Sequence, residues 1–220
     1  MTELRQIYGI GRKKEAELKK IYNIRSVYAL RKYVRKIPDI ITEQQRVGLR
    51  YYDKINTKIT KKEMDKHIAF ITKVVPDAVV AGSYRRDEKK IGDIDIITMK
   101  DISKIVSKLR ENGYIVADLI MGDSKYSGIC KLQTSYRRLD IIRTTKEEFP
   151  FALLYFTGDF IQNINMRQTA KKRGYTLSQN GLKNIKTDKP VKGLKTERDI
   201  FKFLEMPYKE PHQRSNSTSG

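Results

Sequence analysis

The chain has little of what several classes of protein depend on. Its 220 residues include one cysteine, two histidines and no tryptophan. The lone Cys130 excludes an internal disulfide and any zinc site built from several cysteines, while His67 and His212 leave little room for histidine-based catalysis. No apolar run approaches the roughly 18–20 residues of a membrane span, and the first residues lack a secretory signal pattern. We therefore expect an intracellular protein of the nucleus or cytoplasm, with no membrane partner.

Negative charge is also scarce. The formal net charge is +20, and it is spread as +9 over residues 1–60, +5 over 61–147 and +6 over 148–220. The excess therefore belongs to the folded body and is not a basic tail. Such a surface predicts a polyanionic partner; a merely soluble basic protein is the alternative.

The amino-terminal third is helical in pattern and contains a glycine-rich turn. The segment Ile7-Tyr8-Gly9-Ile10-Gly11 precedes Lys13, Lys14 and apolar residues at helical spacing. Two glycines before a helix N-terminus allow a phosphate to approach the backbone, which is typical of a helix-hairpin-helix. An ordinary tight turn is the alternative. Further along, Thr42 and Gln45 predict a capping box at the start of another helix.

The centre of the chain is rich in strand patterns flanked by helices. Strands are expected at 74–81, 93–98, 114–119, 129–133 and 138–143, the last two paired across Thr134-Ser135, with helices at 61–71 and 103–112. A helix over 151–172, interrupted at Thr157-Gly158, precedes a small strand region to about 195 and a helix over 197–204 capped by Thr196. The fold class that follows is α+β with a mixed sheet.

Two neighbouring motifs in this centre carry the chemistry. Gly82-Ser83-Tyr84-Arg85-Arg86 offers backbone amides, a hydroxyl and two cations to a phosphate, and Gly92-Asp93-Ile94-Asp95 puts two carboxylates on one strand face. Asp140, in a later strand pattern, is the candidate for a third carboxylate. An Asp-x-Asp pair alone is more often a solvated strand face. Together these features suit Mg²⁺ and nucleotidyl transfer.

With these motifs in order, the sequence resembles the family X DNA polymerases, particularly the beta type and the small viral members. The resemblance runs from about Gln6 to Arg214. It rests on the two motifs above and on Arg138-Leu139-Asp140, Tyr155-Phe156-Thr157-Gly158 and Tyr208-Lys209-Glu210-Pro211. It implies a nucleotidyltransferase-type palm, over residues 61–147, between a helix-hairpin-helix subdomain at 1–60 and a nucleotide-selecting α+β subdomain at 148–214. Residues 215–220 are expected to be a disordered tail.

The resemblance also implies a role for each matching residue. Asp93 and Asp95 would hold two Mg²⁺ ions, or Mn²⁺ in their place, and Asp140 would bind the ion beside the primer 3′-hydroxyl, with Arg138 positioning Asp140. The triphosphate of a dNTP would be bound by Ser83, Arg86, Gly92 and Lys58. The sugar would be walled by Tyr155, Phe156 and Gly158, and the base edges read by Asn163 and Arg167. Core aromatics and a surface arginine are the alternatives for Tyr155, Phe156 and Arg167.

In the helix-hairpin-helix, the resemblance implies binding of the DNA backbone. The residues concerned are Gly9, Gly11, Lys13 and Lys14, together with a monovalent cation on the backbone carbonyls of Arg5, Ile7 and Ile10. A loop of amides and carbonyls recognises no base sequence. The expected partner is gapped or primer-template DNA, bound by a monomer.

Several departures from the family pattern qualify these expectations. The amino-terminal lyase domain of the beta type has no counterpart, so we expect no deoxyribose-phosphate lyase activity; a viral form and a truncated longer protein both explain this. Phe160, Ile164 and Ile91 replace polar family residues near the nucleotide, which bears on fidelity and affinity. No exonuclease motif is apparent. The function expected is short-gap filling in base excision repair. The alternatives are a template-independent nucleotidyltransferase and a non-catalytic DNA-binding module.

Overall fold

The computed structural model describes residues 2–215. The tail expected at 215–220 thus lies outside the described residues except for Ser215, whose Oγ donates a hydrogen bond to Glu88 Oε1 at 3.2 Å. None of the described helices is long and apolar enough to cross a membrane.

The amino-terminal part is a small helical bundle. It consists of α1 Arg12–Tyr22, α2 Val27–Val34 and α3 Glu43–Ile55, with short 3-10 turns at Glu3–Gln6 and Pro38–Ile40. The capping box predicted for α3 is confirmed, because the Thr42 and Gln45 side chains each accept the other's backbone N–H. The apolar faces of these elements meet in one core that includes Leu4, Leu18 and Leu30.

The central part is built on one five-stranded sheet. Its elements are β1 Ile59–Thr60, α4 Lys61–Val74, β2 Val79–Val80, α5 Gly82–Arg85, β3 Lys90–Ile91, β4 Ile94–Thr98, α6 Ile102–Glu111, β5 Ile115–Met121, β6 Lys125–Leu132 and β7 Ser135–Arg143. The strand order is β2-β4-β7-β6-β5. Only β4 and β7 pair in parallel, and the other neighbours are antiparallel. The mixed sheet confirms the α+β prediction.

The strand predicted at 74–81 is wrong over most of its length. Helix α4 continues through Val74, which is buried in the core under the sheet. The helix cannot continue through Pro76, and the strand that follows covers only Val79–Val80. The apolar run Val74-Val75 packs equally well from a helix end, so β-branched composition alone could not distinguish the two structures.

The predicted hairpin exists with a shifted turn. Leu132 pairs with Ser135, so the two turn residues are Gln133 and Thr134, and Gln133 takes the left-handed conformation with φ +54°. Strand β6 also begins at Lys125, four residues before the predicted start. The longer pairing matters for function because it places Ser127 directly opposite Asp140.

The carboxy-terminal part combines three helices with a small hairpin. Its elements are α7 Phe149–Thr157, α8 Phe160–Lys172, β8 Tyr175–Ser178, β9 Gly181–Asn184, α9 Glu197–Phe203 and a 3-10 turn at Pro211–Arg214. The predicted interruption at Thr157-Gly158 is confirmed. Gly158 is extended there, and Asp159 caps α8 by accepting the Gln162 N–H at 2.7 Å. Thr196 caps α9, as predicted.

Helix α3 joins the bundle to the central sheet. Its Val47 packs with Leu119 and Ile129 on the sheet face. Its Gly48 lies against the glycine-rich turn, where an added Cβ would come within 2.7 Å of the Tyr8 carbonyl oxygen and 3.0 Å of its nitrogen. The absence of a side chain at Gly48 therefore sets how closely that turn approaches helix α3.

We expect Gly48→Ala to push the turn of residues 7–11 away from α3 and to destabilise the protein by about 1–3 kcal/mol, the usual cost of overpacking. Urea denaturation measures this loss. Gly11→Ala is the control, since no atom lies within 4 Å of its added Cβ. Equal losses in the two variants would contradict the proposed contact.

His67 is fully buried in α4. Its Nδ1 lies 2.7 Å from the Tyr114 hydroxyl oxygen, and its Nε2 lies 3.8 Å from Glu63. Burial lowers the pKa of His67 to about 4, although Glu63 acts in the opposite direction and Arg137 in the same one. The folded protein therefore holds the imidazole neutral.

This neutral histidine predicts a pH dependence of stability. The unfolded chain takes up a proton near pH 6.5 and the folded chain only near 4, so stability falls as the pH is lowered through that window. Between pH 7 and 4.5 the wild type should lose about 2 kcal/mol more than His67→Gln, which cannot titrate. Urea denaturation of both proteins at the two pH values tests this prediction. An equal loss of unfolding free energy in the wild type and in His67→Gln would refute the assignment of a neutral His67.

Candidate active site

Three carboxylates converge at the amino-terminal end of β4. Asp95 on β4 pairs in register with Asp140 on β7, and Asp93 lies in the loop just before β4. Each offers an oxygen, and these three atoms all lie within 4.8 Å of one another. The parallel pairing of β4 and β7 thus brings together residues that are 45 positions apart in the sequence.

The cluster is electrostatically unfavourable without a cation. Burial and the neighbouring charge of Asp140 together raise the pKa of Asp95 to about 7, against the opposing effects of Lys125 and Arg86. Three clustered carboxylate oxygens are the donor set that Mg²⁺ and Mn²⁺ prefer. The residues therefore fit a divalent ion, which would stabilise the ionised form of Asp95.

Each of the other two carboxylates has its own neighbour. The guanidinium of Arg138 contacts Asp93 and not Asp140, which differs from the expected positioning role. Asp140 Oδ1 accepts a hydrogen bond from Ser127 Oγ at 2.6 Å, and its Oδ2 lies 3.6 Å from Lys125 Nζ. Ser127 and Lys125 lie on β6, so the neighbouring strand holds Asp140 in place.

Gly82 has to be glycine for the cluster to form. Its φ is +64°, and an added Cβ would lie 2.2 Å from Asp95 Oδ2. The Gly-Ser motif forms the single helical turn α5, and the preceding Ala81 N–H donates to the Asp95 carbonyl oxygen at 3.0 Å. The Gly-Ser motif of α5 and strand β4, which carries Asp95, are therefore in direct contact.

A cleft runs from the carboxylates to the carboxy-terminal part. It is lined by all eight residues predicted for the nucleotide: Lys58, Ser83, Arg86, Gly92, Tyr155, Phe156, Gly158 and Asn163. Asp93, Asp95 and Phe160 line the same cleft. Arg86 crosses it, since Nη1 donates to the Thr157 carbonyl oxygen at 3.0 Å and Nε to Glu88 at 2.9 Å.

The two residues predicted to read base edges have other contacts in this structure. Asn163 Nδ2 donates to the carbonyl oxygens of Tyr155 and Gly158, at 2.9 and 3.3 Å. The Arg167 guanidinium lies 4.9 Å from the centre of the Tyr155 ring. The two side chains thus support the end of α7 and the aromatic wall of the cleft.

A second, wider groove leads from the helical bundle to the same carboxylates. It is lined by Arg5, Gln6, Ile7, Tyr8, Gly9, Ile10, Gly11, Ile55, Asn56, Lys58, Gly92, Asp93 and Arg138. The groove and the cleft share Lys58, Gly92 and Asp93. A ligand lying in the groove would therefore end beside the carboxylates.

Not every residue predicted for the helix-hairpin-helix lines this groove. Lys13 is exposed on α1, and Lys14 pairs with Glu17 at 2.7 Å. Gly9 takes a positive φ of +82° and its carbonyl oxygen accepts from Gln45 Nε2 at 2.8 Å. The Ile7 carbonyl oxygen accepts the Ile10 N–H at 3.1 Å.

A buried ion-pair network that the sequence did not reveal joins the site to the carboxy-terminal part. The Glu197 carboxylate on α9 accepts hydrogen bonds from Arg85, at 2.7 and 3.0 Å, and from the almost fully buried Arg214, at 2.5 Å. Arg85 also donates to Thr157 Oγ1 at 2.7 Å. Burial alone would raise the pKa of Glu197, but the two guanidinium groups hold it below its usual value.

Comparison with known proteins identifies the family. A family profile described as DNA polymerase beta palm matches residues 56–146, and one described as DNA polymerase beta thumb matches residues 152–215. DNA polymerase lambda of Rattus norvegicus is 34% identical over 79% of this chain and 36% of its own length. DNA polymerase lambda of Arabidopsis thaliana is 30% identical over 82% and 41%. The chain thus spans well under half of these curated relatives.

Solved structures agree with these matches. The ternary P/T complex of Leishmania infantum polymerase beta superposes with a TM-score of 0.85 at 28% identity, covering 97% of both chains. Its ternary gap complex gives 0.86 at 27% identity, covering 97% of this chain and 88% of that one.

Fold and site together define a nucleotidyltransferase-type palm, because a mixed sheet carries clustered carboxylates next to a Gly-Ser helical turn. The chain belongs to the family X DNA polymerases and carries the palm and thumb of the beta type. The family resemblance seen in the sequence motifs is confirmed.

Ser127→Ala should impair the site without unfolding it, because the hydroxyl is a fully buried donor to Asp140. Loss of such an outer contact to a metal-binding residue typically costs about 10–100-fold in activity or metal affinity. We expect nucleotide addition to need a higher Mg²⁺ concentration for half-maximal rate. Ser124→Ala, at an exposed position in the turn before β6, is the control. An unchanged Mg²⁺ requirement in Ser127→Ala would rule out this role.

Proposed function

We propose that this chain is a DNA polymerase that adds deoxynucleoside monophosphates to a primer 3′-hydroxyl under the direction of a template. The observation that carries the proposal is the meeting of the cleft and the groove at Asp93, beside Asp95 and Asp140. One opening suits a nucleotide and the other a DNA strand. The carboxylates lie where the two would react.

In this proposal Asp93 and Asp95 hold two Mg²⁺ ions, and Asp140 holds the one nearer the primer. When bound, the ions would activate the 3′-hydroxyl for in-line attack and neutralise charge on the triphosphate. Ser127 and Lys125 keep Asp140 oriented. Arg138 contacts Asp93 in this structure and would give up part of that contact when Asp93 holds an ion.

The cleft residues bind and orient the nucleotide. The triphosphate is bound by one hydroxyl and two cationic groups, those of Ser83, Arg86 and Lys58. The backbone amides at the N-terminus of α5 add further hydrogen-bond donors. Arg86 donates to Glu88 in this structure and can form charge-assisted hydrogen bonds to phosphate oxygens in its place. Tyr155, Phe156 and Gly158 form the wall beside the sugar.

The groove residues bind the DNA backbone. Residues 7–11 present a turn with a positive φ, and the basic surface of the bundle attracts a polyanion. We propose that the carbonyls of Arg5, Ile7 and Ile10 hold a monovalent cation between the turn and a primer phosphate. Since such contacts recognise no base sequence, they suit an enzyme that acts at any position.

We further propose that a monomer fills short gaps during DNA repair, inside the cell. The similarity to a polymerase beta structure in a ternary gap complex supports this substrate. A template-independent nucleotidyltransferase is the competing activity, and the same experiment separates the two.

The test is extension of a labelled primer on one-nucleotide-gapped DNA, with Mg²⁺ and each dNTP singly. We expect addition of mainly the complementary nucleotide and at least a 1,000-fold lower rate in Asp140→Ala, because removing a metal-binding carboxylate abolishes charge stabilisation worth several kcal/mol. Asp123→Ala removes an exposed carboxylate of the nearby turn and should keep full activity.

Unpaired single-stranded DNA is the second substrate. Equal addition of all four nucleotides to both substrates would show template-independent terminal transfer and would refute templated synthesis. DNA binding without addition, under Mg²⁺ or Mn²⁺, would refute the enzymatic function.

A further inference from the structure

A carboxylate of this chain pairs with the arginine on which the proposed triphosphate site depends. Glu88 lines the cleft together with Ser83, Arg86 and Asp93. Its Oε1 accepts hydrogen bonds from Arg86 Nε at 2.9 Å and from Arg86 Nη2 at 2.5 Å. A carboxylate and a phosphate offer a guanidinium the same sign of charge and the same kind of acceptor atom. In this structure Glu88 therefore uses donors that a phosphate group would need.

The backbone holds Glu88 beside Arg86. The chain reverses directly after α5, where Asp87 takes the left-handed conformation with φ +61°. The Glu88 N–H then donates to the Ser83 carbonyl oxygen at 3.1 Å. Ser215 Oγ donates to the same Oε1 atom that Arg86 contacts. The carboxylate is thus oriented by its own loop and by the last described residue of the chain.

Arg86 has few donors left for a second anion. Its side chain is 11% exposed, and Nη1 donates to the Thr157 carbonyl oxygen at 3.0 Å. Nε and Nη2 form one edge on which a guanidinium can bind an anion with paired hydrogen bonds, and Glu88 fills that edge. A phosphate group that uses it displaces Glu88, and the cost of breaking that ion pair reduces the affinity of the phosphate.

We propose that Glu88 is an internal competitor of the triphosphate, which weakens the binding of the dNTP and of the pyrophosphate left after addition. The inference rests on the proposed function, because it concerns the same nucleotide cleft. As pyrophosphate leaves, Arg86 returns to Glu88 and is not left without an acceptor. Glu88 therefore lowers substrate affinity and favours product release through a single contact.

The test is the dissociation constant of the complementary dNTP, with Mg²⁺, in a complex with gapped DNA whose primer ends in a dideoxynucleotide. Glu88→Gln keeps the shape of the side chain and removes its charge. It should bind the dNTP about three- to tenfold more tightly, because a partly exposed, doubly hydrogen-bonded ion pair no longer has to be broken. Inhibition of primer extension by inorganic pyrophosphate should strengthen by a similar factor, since this probe has neither base nor sugar.

Asp87→Asn is the matched control. It removes the same charge from the adjacent residue, and asparagine tolerates the left-handed backbone at this position. Asp87 is exposed, pairs with Lys61 and does not line the cleft. Its dNTP affinity should stay within about twofold of the wild type, because solvent and salt screen an exposed charge. Equal tightening in both variants would show a general effect of net charge and would overturn the proposal.

A second background shows whether the effect depends on Arg86. In Arg86→Ala, the further change Glu88→Gln should alter dNTP affinity by less than about twofold, since no guanidinium remains for the two anions to share. A full effect of Glu88→Gln in that background would show direct repulsion of the phosphates. That result would overturn competition for Arg86.

Weaker dNTP binding by Glu88→Gln would also overturn the proposal, because Glu88 would then hold Arg86 ready for the triphosphate. Unchanged affinity would do the same. In both cases primer extension on gapped DNA, and its dependence on Asp140, would still report the proposed polymerase function. The midpoint of urea denaturation shows whether Glu88→Gln folds as the wild type does, which is expected for a partly exposed side chain.

Discussion

The repulsion among three carboxylates is the constraint on which this structure depends. Asp93, Asp95 and Asp140 offer oxygens within 4.8 Å of one another, and their charges oppose folding unless cations balance them. The fold places them there by the one parallel strand pair in its sheet. Gly82 leaves room for Asp95, Ser127 orients Asp140, and Arg138 partly neutralises Asp93. Charge as well as packing therefore determines which side chains fit around the cluster.

The same constraint explains why the surrounding parts are joined by polar contacts and not by apolar cores alone. The palm and thumb share one apolar cluster, which includes Ile97, Ile142 and Ala152, but the nucleotide cleft itself must keep open, solvated surface. Glu197 with Arg85 and Arg214 joins them behind the cleft, in a buried position. Removing one partner from such a network leaves an uncompensated charge, which typically costs about 3–5 kcal/mol.

Much of this architecture could be predicted from the sequence because periodicity and order carry it. Alternation in 93–98 and 138–143 placed Asp95 and Asp140 on strand faces, and the interrupted helix at Thr157-Gly158 has clear turn residues. The errors arose where composition was ambiguous, as in Val74-Val75, which end a helix. Ser127 carried no signal, since a serine in a strand becomes informative only once the β6–β7 register is known. The two adjacent arginines also could not be told apart from the sequence. Arg85 contacts the buried Glu197, whereas Arg86 lines the open cleft.

The Arg85–Glu197 contact also has a consequence for the order of folding during synthesis. The two residues are separated by 112 positions, so the short helix α5 is made long before its buried partner leaves the ribosome. The sheet, whose strands are complete by residue 143, can assemble first, because domains generally form as they emerge. The network that fixes the thumb is then the last to form. A nascent chain would hold a complete carboxylate cluster while its nucleotide cleft is still unformed.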